Sequence, residues 1–278
     1  MAFRADGKRV RKADPMYTVV PYIMTKRNDA MNMTTVDVPV EPIQSYINAK
    51  RKDGIRMSHM SVVMAAYLRT VHEFPLLNNF IVNKKIYAHN DFKVSMVVLK
   101  SLITQEETMS KVEFKLDDNI FEVNEKISAY VDENRQETAV NNTDKMIKFL
   151  VSLPGLLLVF VGLFKLLDRY GLLPKFIIDL SPFHTSLTIT NLASIRTNHI
   201  YHHIYNFGTT SMFIAMGKNR EVAKRKNGEI VFEKCMPLGV VMDERICSGL
   251  YFATAFRKFR GYLENPSLLE EKPEKKDE

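Results

Sequence analysis

A mixed α/β sandwich is the fold class the sequence predicts, on three observations. Strand-like alternation and helix-like periodicity interleave through the first half of the chain. Several strand-like runs then follow one another between residues 186 and 242. No Ser/Gly/Pro-rich linker and no repeat of roughly 20–50 residues divides the 278 residues, so one layered domain is expected.

The elements follow in order. Thr34–Val40 (TTVDVPV) alternates as a strand, and Pro42 opens a helical stretch to about Lys52. Ser58 is placed to cap a helix over Met60–Phe74, with Val62, Val63, Ala66 and Leu68 on one side and Pro75 as its stop. Phe80–Val82 and Ile86–Ala88, joined by Asn83-Lys84-Lys85, read as a hairpin, and Phe92–Leu99 as a further strand. Asn119–Asn134 is helical, with a stripe of Ile120, Val123, Ile127, Tyr130 and Val131. Thr143 begins a long apolar helical region that Pro154 is expected to kink. Strands are expected at Ser186–Asn191, Ser211–Met216, Ile230–Phe232 and Pro237–Met242, and a last helix over Gly249–Leu263. Residues 1–14 read as a flexible basic end, 15–269 as the domain, and 270–278 (EEKPEKKDE, Glu270–Glu278) as a charged, disordered tail.

Composition narrows the function classes. Hydrophobic residues at 46% and charged residues at 26% exclude a disordered or collagen-like chain. Cys235 and Cys247 lie twelve residues apart without CxxC spacing, which excludes a disulfide framework and a zinc knuckle; free thiols in a reducing cytoplasm are expected. The net charge of +7 predicts affinity for anions: nucleic acid, an anionic membrane face or a phosphate-bearing small molecule. Basic and aromatic residues do not interleave as in single-strand binders, so no nucleic-acid partner is expected. The basic N-terminus leads into no apolar h-region, so no secretory signal is expected. The most apolar run, Phe149–Phe164, has sixteen residues between Lys148 and Lys165, short of the ~20 needed to span a bilayer. Three readings of it stand: a buried helix at the core or a subunit contact, a wall around an apolar acceptor, or peripheral membrane attachment.

No GxGxxG, GxxxxGK[ST], HExxH or GxSxG motif is present, so nucleotide-loop, zincin and hydrolase-elbow chemistry lack their framework. Three polar constellations remain. LTITN (Leu187–Asn191) puts Thr188 and Thr190 on one strand face, where hydroxyls either stabilise an oxyanion or decorate solvent. HIYHHIYNF (His199–Phe207) would, on a strand, set His199 and His203 on one face and His202 on the other; no acidic partner is near, and no metal site is expected. MDERICSG (Met242–Gly249) puts a polar cluster at a strand-to-helix turn, a rigid seat for catalytic groups or simply a turn held by an Asp–Arg pair.

GVVMDERICSG (Gly239–Gly249) and the helix ending LENPSLL resemble the C-terminal signature of the chloramphenicol acetyltransferase-like superfamily, closest to the catalytic core of dihydrolipoyl acyltransferases of 2-oxoacid dehydrogenase complexes. LTITNLAS (Leu187–Ser194), TTSMFIAMGK (Thr209–Lys218) and the helix of Ser58–Ile81 are similar to further family segments in the same order, over roughly Tyr17–Leu269. The resemblance implies a two-layer sandwich of the coenzyme A-dependent acyltransferase type, a homotrimer, active sites between subunits, coenzyme A or acyl-CoA as substrate and an apolar, thiol or hydroxyl acceptor. It puts the general base at Glu244, where the family carries histidine, and the oxyanion hydroxyl at Thr190. Ser248 stands at the family's Asp/Asn position, while Asp243, Arg245 and Gly249 are kept as structural residues of the site. His202 and His203 are the alternative bases. About sixteen residues precede the match, so no lipoyl or subunit-binding segment is expected ahead of it. Glutamate is a weaker base than imidazole at neutral pH, with ordinary pKa values of about 4.3 against 6.5, and Arg245 beside it could hold it ionised. Two readings follow: a divergent acyltransferase, or a catalytically inactive relative kept for binding or assembly.

Overall fold

The computed structural model describes residues 4–99, 107–134, 142–152, 155 and 157–274. After a short strand β1 (Gly7–Arg9) comes helix α1 (Pro15–Ile23), capped by Asp14, whose carboxylate accepts from Met16 N at 2.8 Å. No helix is expected here from the sequence, because Pro21 inside it hides the signal. Strand β2 (Met31–Pro39) starts three residues before the expected one, because it pairs with a late strand along its whole length. Helices α2 (Val40–Lys52) and α3 (His59–Glu73) follow, and Ser58 Oγ caps α3 by accepting from Ser61 N at 3.0 Å. β3 (Asn79–Val82) and β4 (Lys85–His89) form the hairpin through a two-residue turn, with Asn83 and Lys84 at φ of 47° and 61°. Two left-handed residues match the twist of paired strands.

β5 (Phe92–Leu99) pairs with β6 (Glu107–Phe114), an edge strand that sequence reading missed because Glu107, Lys111 and Glu113 break up its apolar pattern. α4 (Ile120–Asn134) begins with a reciprocal cap: Asn119 Oδ1 accepts from Glu122 N, and Glu122 Oε2 accepts from Asn119 N. The apolar region forms two helices, α5 (Asn142–Val151) and α6 (Leu157–Tyr170), then α7 (Lys175–Leu180). The kink expected at Pro154 lies outside the described residues. Then come β7 (Leu187–Asn191), β8 (Met212–Met216), β9 (Arg220–Lys226), β10 (Glu229–Asp243) and α8 (Gly249–Glu264). The two strands expected at 230–232 and 237–242 are one. Pro237, read as a strand start, is tolerated inside β10 because its missing N–H faces the gap where β9 ends and β8 begins.

The main sheet runs β2-β10-β8-β7-β5-β6, with β9 also on β10; β7 is parallel to β5 and β8, and the other pairs are antiparallel. β1, β4 and β3 make a second small sheet. Alternation sorts the faces. Leu187, Ile189, Ile214, Leu238 and Val240 join α2, α3, α4 and α8 in the main core, with α3 buried almost all round. The opposite face carries Thr188, Thr190, Phe213, Gly239, Val241 and Asp243. An irregular segment, His199–Asn206, crosses that face, and Ile204 packs on Phe213 and Val241.

Two expectations are corrected. Residues 4–14 are not a free end: β1 pairs with β4, and the Arg4 guanidinium is buried against Asp168 at 2.6 Å. Basic residues read as solvated until a distant carboxylate supplies a partner. Nor is the apolar run a core helix of this chain: Leu158 is 82% exposed and Val159, Leu163 and Leu166 are also open. Among the described residues no helix is long and apolar enough to cross a membrane.

Candidate active site

The turn from β10 to α8 is built around Asp243. Its backbone N donates to Ser211 O at 2.9 Å, which holds the strand end against β8. Its carboxylate, fully buried, accepts from Arg245 N at 3.2 Å and from Arg245 Nε and Nη2, both at 2.7 Å. A bidentate guanidinium fork of this kind is short, directional and costly to break. Arg27 Nε stands 3.4 Å from the same carboxylate, and Arg245 Nη1 reaches Met24 O at 3.0 Å. Arg245 is therefore spent on Asp243 and does not clamp its neighbour Glu244, as the sequence had suggested it could. Glu244 N donates to Ala30 O at 2.9 Å; its half-buried carboxylate has no hydrogen bond or ion pair among the described residues. Ser248 Oγ accepts from Tyr251 N at 3.1 Å and so caps α8, whose Gly249 is its first residue. Tyr17 on α1 lies against Ser248 and Cys247, where burial is the first cause that raises its phenol pKa.

Thr190 is 8% exposed on the face of β7 away from the helices, and its hydroxyl makes no hydrogen bond among the described residues. The register places it abreast of Ala215, and Ala215 abreast of Gly239. Glu244 lies five residues past Gly239, roughly 16 Å along the strand and two strand spacings, about 10 Å, to the side. One protomer does not bring the two predicted catalytic groups together.

The histidines stand elsewhere than a strand would put them, because residues 199–205 form none. His199 Nε2 meets Thr35 Oγ1 at 2.9 Å. Its backbone crosses so close that a Cβ on Gly217 would sit 2.3 Å from His199 N. His202 stacks flat on Phe213, with centroids 4.2 Å apart, and burial lowers its pKa. His203 is exposed and has no partner among the described residues. No imidazole bonds to Glu244, and among the described residues no three metal-ligating side chains converge.

Sequence reading missed Arg27, whose partners are far along the chain. Its guanidinium donates to Tyr205 O, Gly208 O and Ile81 O at 2.8–3.0 Å, tying α1's exit, β3 and the 205–208 loop to Asp243. It also missed a buried chain of Ser181, His184 and Asp168: Ser181 Oγ is 2.8 Å from His184 Nδ1, and His184 Nε2 is 3.3 Å from Asp168. The order looks nucleophilic, but Ser181 is 3% exposed and Arg4 shares Asp168. We read it as a tie that anchors α6 to β7. Burial alone would raise the Asp168 pKa; the His184 contact and the Arg4 charge outweigh it and hold the carboxyl at about 2. Beside Arg27 and Arg245 lies a cavity of about 640 Å³.

The seven-stranded mixed sheet with four helices on one face is similar to the fold of solved acyltransferase catalytic cores. Residues 184–270, which hold β7 to α8, match the model of the 2-oxoacid dehydrogenases acyltransferase (catalytic domain) family. The whole fold agrees. A probable dihydrolipoamide acetyltransferase from Listeria monocytogenes superposes with a TM-score of 0.57 at 14% identity, over 92% of this chain and 94% of that one. The dihydrolipoamide acetyltransferase of Azotobacter vinelandii gives 0.59 at 10% identity, over 94% of both chains. A chloramphenicol acetyltransferase gives 0.56 at 10%, over 92% and 99%. A search of the curated proteins gave no match.

Proposed function

We propose that this protein is a coenzyme A-dependent acyltransferase whose base is Glu244 and whose site forms between protomers of a homotrimer. The observation that carries the reading is the pair of unpartnered groups: the Glu244 carboxylate and the Thr190 hydroxyl are each fixed on rigid backbone, yet held too far apart to serve one site within one chain. A neighbouring copy would supply the missing half. The Azotobacter relative's structure concerns a serine, a histidine and an asparagine in its mechanism, the last two spaced as Glu244 and Ser248 are.

In this reading Glu244 takes the proton from the acceptor's S–H or O–H. The freed sulfur or oxygen attacks the thioester carbonyl, and Thr190 donates to the tetrahedral oxyanion. The carbon–sulfur bond to coenzyme A then breaks, and the departing thiolate takes the proton back from Glu244. Ser248, spent as a helix cap, acts on the turn rather than on substrate.

Release of free coenzyme A from an acyl-CoA panel with dihydrolipoamide tests this. Glu244→Gln should lower turnover by about 10²–10⁴-fold. Thr190→Val and Glu244→Gln protomers, each inactive alone, should regain activity when mixed, because some interfaces then hold both groups. Mixed variants that stay inactive would overturn the shared site.

One observation favours the second reading, an inactive relative: among the described residues of one protomer no imidazole reaches the Glu244 position. Inert wild type alongside an active Glu244→His variant would establish it.

A further inference from the structure

We propose that this protein docks on an anionic phospholipid bilayer through the face made by α1, α6 and the β3–β4 turn, with lipid phosphates seated in the cationic cavity there. The inference does not rest on acyl transfer.

Two independent features meet at this face. The first is charge. Lys26, Lys84, Lys165 and Arg169 line the cavity, over a floor of Arg27 and Arg245. The two floor arginines are committed to Asp243, but none of the four others has an acidic partner among the described residues. Asp168, the one acid among the lining residues, is already held by Arg4. Four cations gathered without counter-charge repel one another and favour an anion between them. The cavity's rigidity comes from Arg27, whose three carbonyl contacts fix its walls.

The second feature is apolar exposure on both sides of that charge. On α6, Leu158, Leu163 and Leu166 face outward at 82%, 45% and 53% exposure, while Asp168 points in. Helical spacing puts Lys165 and Arg169 at the edge of the same outer face. On α1, Val19, Tyr22 and Ile23 are open to solvent, and Lys84 Nζ lies 5.0 Å from the Tyr22 ring centroid, which joins α1 to the cavity rim. A helix with an apolar outer face and a basic edge suits the headgroup–acyl boundary, the apolar side chains below and the cations at phosphate depth.

The charge also discriminates among occupants. A second copy meeting this face about a two-fold axis would set the four cations against themselves, and one meeting it about a three-fold axis would have to bring an acidic patch, which a chain of net charge +7 disfavours. An apolar ligand would leave them unpaired. A bilayer bearing anionic phosphates satisfies both features at once.

Co-sedimentation of the full chain with phosphatidylcholine vesicles, with and without phosphatidylglycerol, tests the proposal. Binding should require phosphatidylglycerol and weaken with salt. At about 1 kcal/mol per surface cation, Lys84→Glu, Lys165→Glu and Arg169→Glu should each lower partitioning about fivefold or more. Leu158→Glu with Leu166→Glu should also abolish it, while Arg257→Glu, the same charge change on the exposed side of α8, should not. Unchanged circular dichroism would show that the variants fold. Equal binding to neutral vesicles, no binding to either, or binding unaffected by the cavity variants would overturn it. So would apolar variants that change the oligomeric state but not vesicle binding, which would make the face a contact between copies. Competition by inorganic phosphate with the apolar variants binding normally would reassign the cavity to soluble phosphates.

Discussion

Arg245 grips Asp243 through two parallel hydrogen bonds of 2.7 Å, with both side chains sealed from solvent. The pair fixes the turn that presents Glu244 on one side and starts α8 on the other.

Because the pair is buried, removing Arg245 takes the bidentate fork from the Asp243 carboxylate and leaves it only Arg27, at 3.4 Å. Arg245→Ala should cost about 3–5 kcal/mol in urea unfolding. Arg245→Lys should cost less, since it keeps the charge and loses the fork. Glu244→Ala, with no partner to lose, should stay within about 0.5 kcal/mol. A Glu244 variant as damaging as Arg245→Ala would mean that the carboxylate is a structural member of the turn.

Two glycines should respond with opposite signs. Gly217→Ala puts a methyl into the His199 backbone, which cannot give way cheaply, and should destabilise by about 1–3 kcal/mol. Gly261, inside α8, has open space around it, so Gly261→Ala should gain about 0.5–1 kcal/mol from helix propensity alone. Thermal midpoints decide both.

Acid should loosen the fold in two steps. Burial holds the His89 pKa at about 3, with Asp6 raising it and Arg4 and Arg27 lowering it, while its ring lies 4.3 Å from Phe80. Between its unfolded value near 6.5 and 3 the unfolded chain binds a proton the native one refuses, so stability falls by up to about 1.4 kcal/mol per pH unit as pH drops. Asp168, held at about 2, contributes stability above its unfolded value near 4 and loses it on the way down to 2. His89→Gln should flatten the first step and leave the second; an unchanged slope between pH 6 and 4 would assign it to other groups.

The N-terminal strand should matter as much as a core element. Arg4→Met leaves the Asp168 carboxylate with His184 alone, and should lower stability by roughly 2–4 kcal/mol while releasing β1 to faster amide exchange. Exchange confined to residues 4–9 with no change in midpoint would show that β1 is an ornament on the small sheet.

Some elements were legible because local chemistry sets them. Ser58 caps α3, Asn119 and Glu122 cap α4, and Phe92–Leu99 alternates into β5, all within a few residues of sequence. β6 and β9 were not, because edge strands carry charge in place of a buried stripe. At the site, Glu244, Thr190, Asp243, Arg245 and Ser248 were all visible in the motif order. Arg27, Arg4, Asp168 and His184 were invisible, since each is defined by a partner up to 216 residues away.

By itself the sequence determined the fold class, the cap-to-cap helices and the identity of the groups that could do chemistry, because those follow from periodicity and from neighbours a few residues apart. Only the tertiary structure decided what each group is free to do. It spent Arg245 on Asp243, Ser248 on α8 and His202 on Phe213, and left Glu244 and Thr190 far apart and, among the described residues, unpartnered. Hydrogen bonds and packing are allotted in three dimensions, and a side chain already satisfied by a distant neighbour has nothing left to offer a substrate.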